Sequence, residues 1–138
     1  MRVVVDTNVF VSSFPSPGGA PRKIIDLWKT GELIFCLSRA IIEEYILVLV
    51  RLGLKGEPEL DELLELFKDK SNILFTAPAG DLRVVEADPD DDKFIECALH
   101  AKAGFLVSGD KHLLDIERFE GIRIVTPGKF LKVFHQED

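Results

Sequence analysis

The stretch that decides the fold is RVVVDTNV at residues 2–9. Its β-branched run, Val3–Val5, shows no alternation between apolar and polar residues, which is typical of a strand buried on both faces. Further short apolar runs follow along the chain and alternate with segments of helical periodicity. Buried strands that alternate with helices indicate βαβ units. We therefore predict one α/β domain, with a mainly parallel sheet and helices on both of its faces.

The remaining elements are predicted from caps, apolar spacing and turn residues. A polar connection rich in glycine and proline follows the first strand at residues 12–21. The predicted strands cover residues 2–5, 33–37, 73–75, 84–85, 105–107 and 122–125, and the predicted helices cover 21–30, 39–52, 59–70 and 91–103, followed by a helical turn at 111–115 and a last helix from 127.

The composition excludes several classes of protein. The 138 residues suit one domain, and the net charge of −7 argues against binding nucleic acid through a basic surface alone. No secretory signal is visible, and the apolar runs stop well short of the ~20 residues that a membrane span needs. Cys36 and Cys97 form no metal-ligand spacing, so buried free thiols in a reducing cytoplasm are expected rather than a zinc site. The three histidines show no ligand spacing, and no role is assigned to them.

Two acidic residues follow predicted strands directly. Asp6 comes after the first strand, and Asp110 follows the strand at residues 105–107 through Ser108 and Gly109. Because sites in open α/β sheets form beyond the carboxyl ends of the strands, both carboxylates are expected at one edge. Each of them alone could instead cap the segment that follows it. Thr7 and Asn8 would supply the hydrogen bonds that orient Asp6.

The predicted helix at residues 39–52 carries two adjacent glutamates. Glu43 can pair with Arg39 one turn earlier, which is the ordinary solution on a helix surface. Glu44 has only apolar neighbours at three and four residues along the helix and thus no charge partner there. A carboxylate in apolar surroundings needs a cation or stays protonated. Glu44 is therefore the predicted site residue.

The acidic run DPDDD at residues 88–92 opens the predicted fourth helix. Most of its carboxylates suit a helix N-terminus. Asp91 differs because Phe94, Ile95 and Ala98 continue its face of the helix, so it is predicted to point inward over the sheet edge. Four acids from separate elements then converge on one edge, which individual capping roles do not explain. A site built from oxygen ligands favours Mg²⁺ or Mn²⁺ over zinc.

These residues, in this order and spacing, resemble the PIN-domain family. The matching pieces run across nearly the whole chain: VVDTNV at 4–9, LS at 37–38, EY at 44–45, DPDD at 88–91, AL at 98–99, VSGD at 107–110 and LL at 113–114. The resemblance implies a three-layer α/β/α sandwich with a five-stranded parallel sheet, and a Mg²⁺- or Mn²⁺-dependent endoribonuclease. It also implies the toxin role in a toxin–antitoxin pair, hence an antitoxin partner. By position, the implied metal ligands are Asp6, Glu44, Asp91 and Asp110, with Asn8 and Ser108 as supporting polar residues.

RNA as substrate requires contacts to phosphates. Five cations lie near the starts of helices that should face the site edge, although each could equally be a solvated charge. These candidate substrate contacts are Arg22, Lys23, Arg39, Lys93 and Lys111.

Two other functions stay open at this stage. A phosphatase could use the aspartate after the first strand as a nucleophile, although position 8 is Asn where a second aspartate would be expected. A non-catalytic interaction module could bind a partner through the apolar helices, although unneeded buried carboxylates are costly. The apolar helices at residues 41–52 and 59–70 also predict a homodimer. They could instead pack on each other and on the sheet.

Overall fold

The computed structural model describes residues 1–54, 56–76 and 92–136. Its strands and helices alternate along the chain, as the apolar runs predict. The strands are β1 (Arg2–Val5), β2 (Ile34–Ser38), β3 (Ile73–Thr76), β4 (Phe105–Val107), β5 (Arg118–Phe119) and β6 (Ile122–Val125). The helices are α1 (Thr7–Ser12), α2 (Ala20–Lys29), α3 (Arg39–Arg51), α4 (Pro58–Lys68), α5 (Asp92–Ala101), α6 (Lys111–Leu114) and α7 (Pro127–Gln136).

The strands form one mostly parallel sheet in the order β3-β2-β1-β4-β6-β5. All neighbouring pairs are parallel except β5 and β6, which form a short antiparallel pair at the edge. The described residues therefore contain six strands rather than the expected five. The additional strand, β5, has two residues and leads through a tight turn into β6, so it contains no apolar run from which it could be predicted.

Helices cover both faces of the sheet. Phe35 of β2 stacks on Trp28 of α2 with ring centroids 4.6 Å apart, and Phe105 of β4 meets Phe130 of α7 edge-to-face at 5.2 Å. Successive side chains of a strand point to opposite faces, so residues in register on neighbouring strands share a face. Phe35 and Phe105 are both in register with Val3, and α2 and α7 therefore lie on the same face. α5 packs against β1, β2, β3 and β4. The three-layer α/β/α architecture is confirmed.

The observed helix and strand boundaries agree with the predicted ones to within about two residues, apart from two features. The helix α1 was not predicted, since residues 7–12 have no helical apolar stripe long enough to be recognised. The strand candidate at residues 84–85 lies outside the described residues, as does the start of the predicted helix at residue 91. Cys36 and Cys97 are both buried, with free thiols, as expected.

Candidate active site

The site begins where the order of strands reverses. β1 lies between β2 on one side and β4 on the other, so the chain turns away in opposite directions after these two strands. In open α/β sheets, such a switch point leaves a crevice at the carboxyl ends of the strands, where ligands bind. Asp6 directly follows β1, and Ser108 directly follows β4, with Val5 and Val107 in register. The structure thus brings Asp6 and the Ser108–Asp110 segment together, as the sequence predicts.

A buried serine links the two acids. Ser108 is fully buried, and its hydroxyl donates a hydrogen bond to Oδ2 of Asp6. The same hydroxyl oxygen accepts the backbone N–H of Asp110 at 2.9 Å. The other oxygen of Asp6, Oδ1, accepts the backbone N–H of Val9 at 2.8 Å. Ser108 therefore links the carboxylate of Asp6 to the backbone of Asp110.

The electrostatic environment of Asp6 is unfavourable to its charge. Only 4% of the residue is exposed, and burial raises the pKa of this carboxyl above its ordinary value. Hydrogen bonds from Ser108 and Val9 act in the opposite direction, and the nearby charge of Asp110 raises the pKa further. An ionised Asp6 thus has hydrogen-bond donors but forms no ion pair with a described residue. A bound cation would supply the missing countercharge.

Both acids also cap helices, which was the structural alternative for each. Asp6 caps α1 through Val9, and Asp110 caps α6 by accepting the N–H of His112 at 2.8 Å. Each cap uses one carboxylate oxygen. The second oxygen of Asp6 binds Ser108, and that of Asp110 has no hydrogen-bond partner within the part of the chain that the structure describes. Capping and metal binding are therefore compatible here.

Glu44 lies on α3 and makes two contacts with other elements. The hydroxyl of Thr7 donates to its Oε2, and the ammonium of Lys93 donates to its Oε1 at 2.8 Å. We expected Glu44 to lack a partner. This holds within its own helix, but α5 supplies a cation across the site. Glu43 instead points away and pairs with Arg39 at 2.9 Å, as predicted.

A tyrosine fixes α3 beside the end of β1. Tyr45 is fully buried, and its hydroxyl donates to the backbone carbonyl of Val5, the residue before Asp6. Its ring stacks on Phe10 of α1 at a centroid distance of 4.1 Å. Glu44 is therefore held near Asp6 by its neighbour in sequence. This role was not predicted from the sequence, although a tyrosine in an apolar helix usually has a hydrogen-bond partner for its hydroxyl when it is buried.

Thr7 and Asn8 do not make the contacts with Asp6 that were predicted. Thr7 contacts Glu44 instead, and Asn8 is exposed with no side-chain hydrogen bond to a described residue. The hydrogen bonds that orient Asp6 come from Val9 and Ser108. Asp91 lies outside the described residues.

Three of the five predicted phosphate contacts already bind other groups of the chain. Arg22 donates to the backbone carbonyls of Ser13 and Phe14, Arg39 pairs with Glu43, and Lys93 pairs with Glu44. Lys23 and Lys111 are exposed and form no ion pair with a described residue.

The donor set at the switch point suits a divalent cation. Among the described residues, no three His, Cys, Asp or Glu side chains lie close enough together to hold a metal ion, and the fourth predicted ligand is outside that part of the chain. Asp6, Asp110 and the hydroxyl of Ser108 nevertheless present only oxygen atoms, which hard cations prefer. The raised pKa of Asp6 also indicates a place where a cation would be stabilising. The residues present therefore fit Mg²⁺ or Mn²⁺.

Comparison with known proteins decides the family. Residues 2–112 match the PIN domain. The chain belongs to the PIN-domain family. PIN domains are, as a class, nucleases, and nucleic acid is the general partner of such domains. The matched range includes every residue of the site described above.

One similar chain comes from Methanocaldococcus jannaschii and is described as an uncharacterized protein. It is 31% identical to this chain over an alignment of 149 positions, which covers 99% of this chain and 93% of the relative. Within the described ranges, no helix is both long and apolar enough to cross a membrane.

Proposed function

We propose that this PIN-domain protein is an endoribonuclease that hydrolyses RNA phosphodiester bonds with the help of Mg²⁺ or Mn²⁺. Its metal ligands would be Asp6, Glu44, Asp91 and Asp110. The observation that carries the proposal is the buried carboxylate of Asp6, which Ser108 links to the backbone N–H of Asp110 at the switch point of a PIN-family sheet. A buried carboxylate is costly unless a cation binds it.

The site residues have distinct roles in this proposal. A bound divalent ion supplies an activated water and offsets the charge that develops on the phosphate. Asp6 and Asp110 would hold the ion, and Ser108 binds the Asp6 carboxylate and the backbone N–H of Asp110. Asn8 is exposed beside Asp6, where its amide would contact ligand or solvent.

The RNA backbone would be bound by the cations named from the sequence. Lys23 and Lys111 are exposed and therefore accessible to phosphates. Arg39 is also accessible, because its pair with Glu43 is exposed and such pairs contribute little to stability.

The two alternatives explain the site less well. A phosphatase with Asp6 as nucleophile would need that carboxylate exposed, whereas both of its oxygens already accept hydrogen bonds and only 4% of the residue is exposed. A non-catalytic module accounts for the cap that Asp6 provides to α1 but not for the burial that raises the pKa of this carboxyl.

The toxin role in a toxin–antitoxin pair is a further part of the proposal, supported by the family resemblance and by the apolar surface of α3. A short neighbouring gene for a DNA-binding antitoxin would support this role, and its absence would favour RNA processing. The two buried free thiols suit a cytoplasmic location.

The experiment that tests the activity is an RNA cleavage assay with and without Mn²⁺. We expect cleavage with Mn²⁺, none with excess chelator, and a loss of at least about a hundredfold in Asp6→Asn, since metal-ion catalysis supplies several kcal/mol. Asp115→Asn is the matched control, because this aspartate is exposed at the end of α6, and it should cleave like the wild type. Cleavage that persists in chelator, or in Asp6→Asn, would refute the mechanism.

A further inference from the structure

The ion pair between Lys93 and Glu44 joins two helices that meet at the candidate active site. The two residues are 49 positions apart, and their atoms Nζ and Oε1 are 2.8 Å apart. Their side chains are 23% and 26% exposed, so the pair is partly shielded from water and also accessible to a small ion. It is the one described contact in which a cation already binds a predicted metal ligand.

The position of Lys93 on its helix is unusual for a lysine. α5 begins at Asp92, so Lys93 lies in its first turn, where the unpaired N–H groups of the helix carry a partial positive charge. A cation is disfavoured there by a few tenths of a kcal/mol or more, and most sequences place acids at this position. The contact with Glu44 compensates for this cost. Lys93 is therefore better explained by its partner than by its own helix.

The pair also contacts the segment that carries Asp6. Thr7, the residue after Asp6, donates to the second oxygen of Glu44. Burial raises the pKa of Tyr45, and the charges of Asp6 and Glu44 both raise it further. A divalent ion bound by these carboxylates would therefore be near the ammonium of Lys93. Two cations at that separation repel each other, and Glu44 cannot be fully shared between them.

We propose that Lys93 is an internal counter-ion that occupies Glu44 in the metal-free protein and is exchanged for the divalent metal when the site fills. This inference rests on the proposed metal-dependent function. It assigns Lys93 a positioning role: the ammonium holds the Glu44 carboxylate in place before the metal arrives, and it lowers the affinity of the empty site for metal. Partly exposed ion pairs are worth little, so the exchange costs only a small part of the binding free energy.

The test is the affinity for Mn²⁺, measured by isothermal titration calorimetry without RNA. Lys93→Met keeps the aliphatic length and removes the competing charge, so it should bind Mn²⁺ about three- to tenfold more tightly than the wild type. Lys93→Arg keeps the charge and should stay near the wild-type affinity. Lys132→Met, an exposed lysine on α7, is the control for the change in net charge, and it should also bind like the wild type.

A double-mutant cycle links the effect to Glu44. In a Glu44→Gln background, Lys93→Met should no longer raise the affinity, because the ion pair is already absent. Unchanged or weaker Mn²⁺ binding by Lys93→Met, with a wild-type circular dichroism spectrum, would overturn the exchange while leaving the metal site in place. If the wild type itself binds no Mn²⁺, the proposed function fails, and the exchange fails with it.

Discussion

Asp6 is stabilised by its hydrogen bonds and destabilised by its burial, and burial has the larger effect on its pKa. Above the ordinary aspartate pKa of 3.8, the unfolded chain loses a proton that the folded chain retains. The folded state binds more protons in that window, so the contribution of Asp6 to stability falls as pH rises through the raised folded pKa. Ionisation of this carboxyl therefore lowers the stability of the fold.

Asp6→Asn should consequently raise the free energy of unfolding at neutral pH in the presence of chelator, while it removes activity. Its stability should also fall less between acid and neutral pH than that of the wild type. Urea unfolding across this pH range measures both effects. A variant that is less stable than the wild type at neutral pH would contradict the argument.

The two glutamates of α3 give a second test at the scale of single residues. Glu44→Gln removes a charge from the site, so Mn²⁺ affinity and RNA cleavage should each fall by about tenfold or more. Glu43→Gln only breaks an exposed pair with Arg39 and should be close to silent in both assays. The reverse ranking would place Glu43, rather than Glu44, at the metal.

The sequence predicts single site residues only where local patterns carry the information. Asp6 and Asp110 were recognisable because they follow buried strands, and Glu44 because its helical neighbours are apolar. The partners of these acids were not recognisable, since Lys93 reaches Glu44, and Ser108 reaches Asp6, only after distant segments have packed together. The hydrogen-bonding role of Ser108 was implied only by the family resemblance.

At the scale of elements, the contact between α3 and the end of β1 depends on the Tyr45 hydroxyl. Tyr45→Phe keeps the stack on Phe10 but removes the donor to the Val5 carbonyl. A buried acceptor that loses its partner costs about 1–3 kcal/mol. Chemical unfolding should show a loss of this size. Because α3 also carries Glu44, Mn²⁺ affinity should weaken with it, and a variant as stable as the wild type would argue against this role.

Long periodic elements were predicted well, and the short ones were not. α1 has six residues, three of them Thr or Val with modest helix propensity, so it depends on the Asp6 cap and on the burial of Phe10. β5 has two residues and depends on its pairing with β6. Neither element has enough residues to produce a recognisable period, and both form because the surrounding fold supports them.

At the scale of the whole molecule, the described chain exposes an apolar surface on one helix. Four large side chains at the outer face and the end of α3 are each between 39% and 57% exposed: Ile46, Leu47, Val50 and Leu52. The predicted contribution of α4 is smaller, since Leu60, Leu63 and Phe67 are buried in the core of the chain itself. We therefore propose that a homodimer forms through α3.

Sedimentation equilibrium at micromolar protein should give the mass of a dimer. Leu47→Glu should shift it toward the monomer, because a carboxylate in an apolar interface is costly to bury. Lys132→Glu is a matched control with an exposed residue on α7. A monomer mass for the wild type would refute the dimer without affecting the metal site.

The hydrogen bonds of Ser108 limit how early the candidate site can form during synthesis. Asp6 leaves the ribosome before Ser108, which follows it by 102 positions. At a synthesis rate of about 5–20 residues per second, several seconds separate the two. Throughout that interval, the Asp6 carboxylate has neither its serine nor its acidic neighbour, because β4 is not yet present to pair with β1. The candidate site therefore cannot assemble on the nascent chain until the segment that carries Ser108 has emerged.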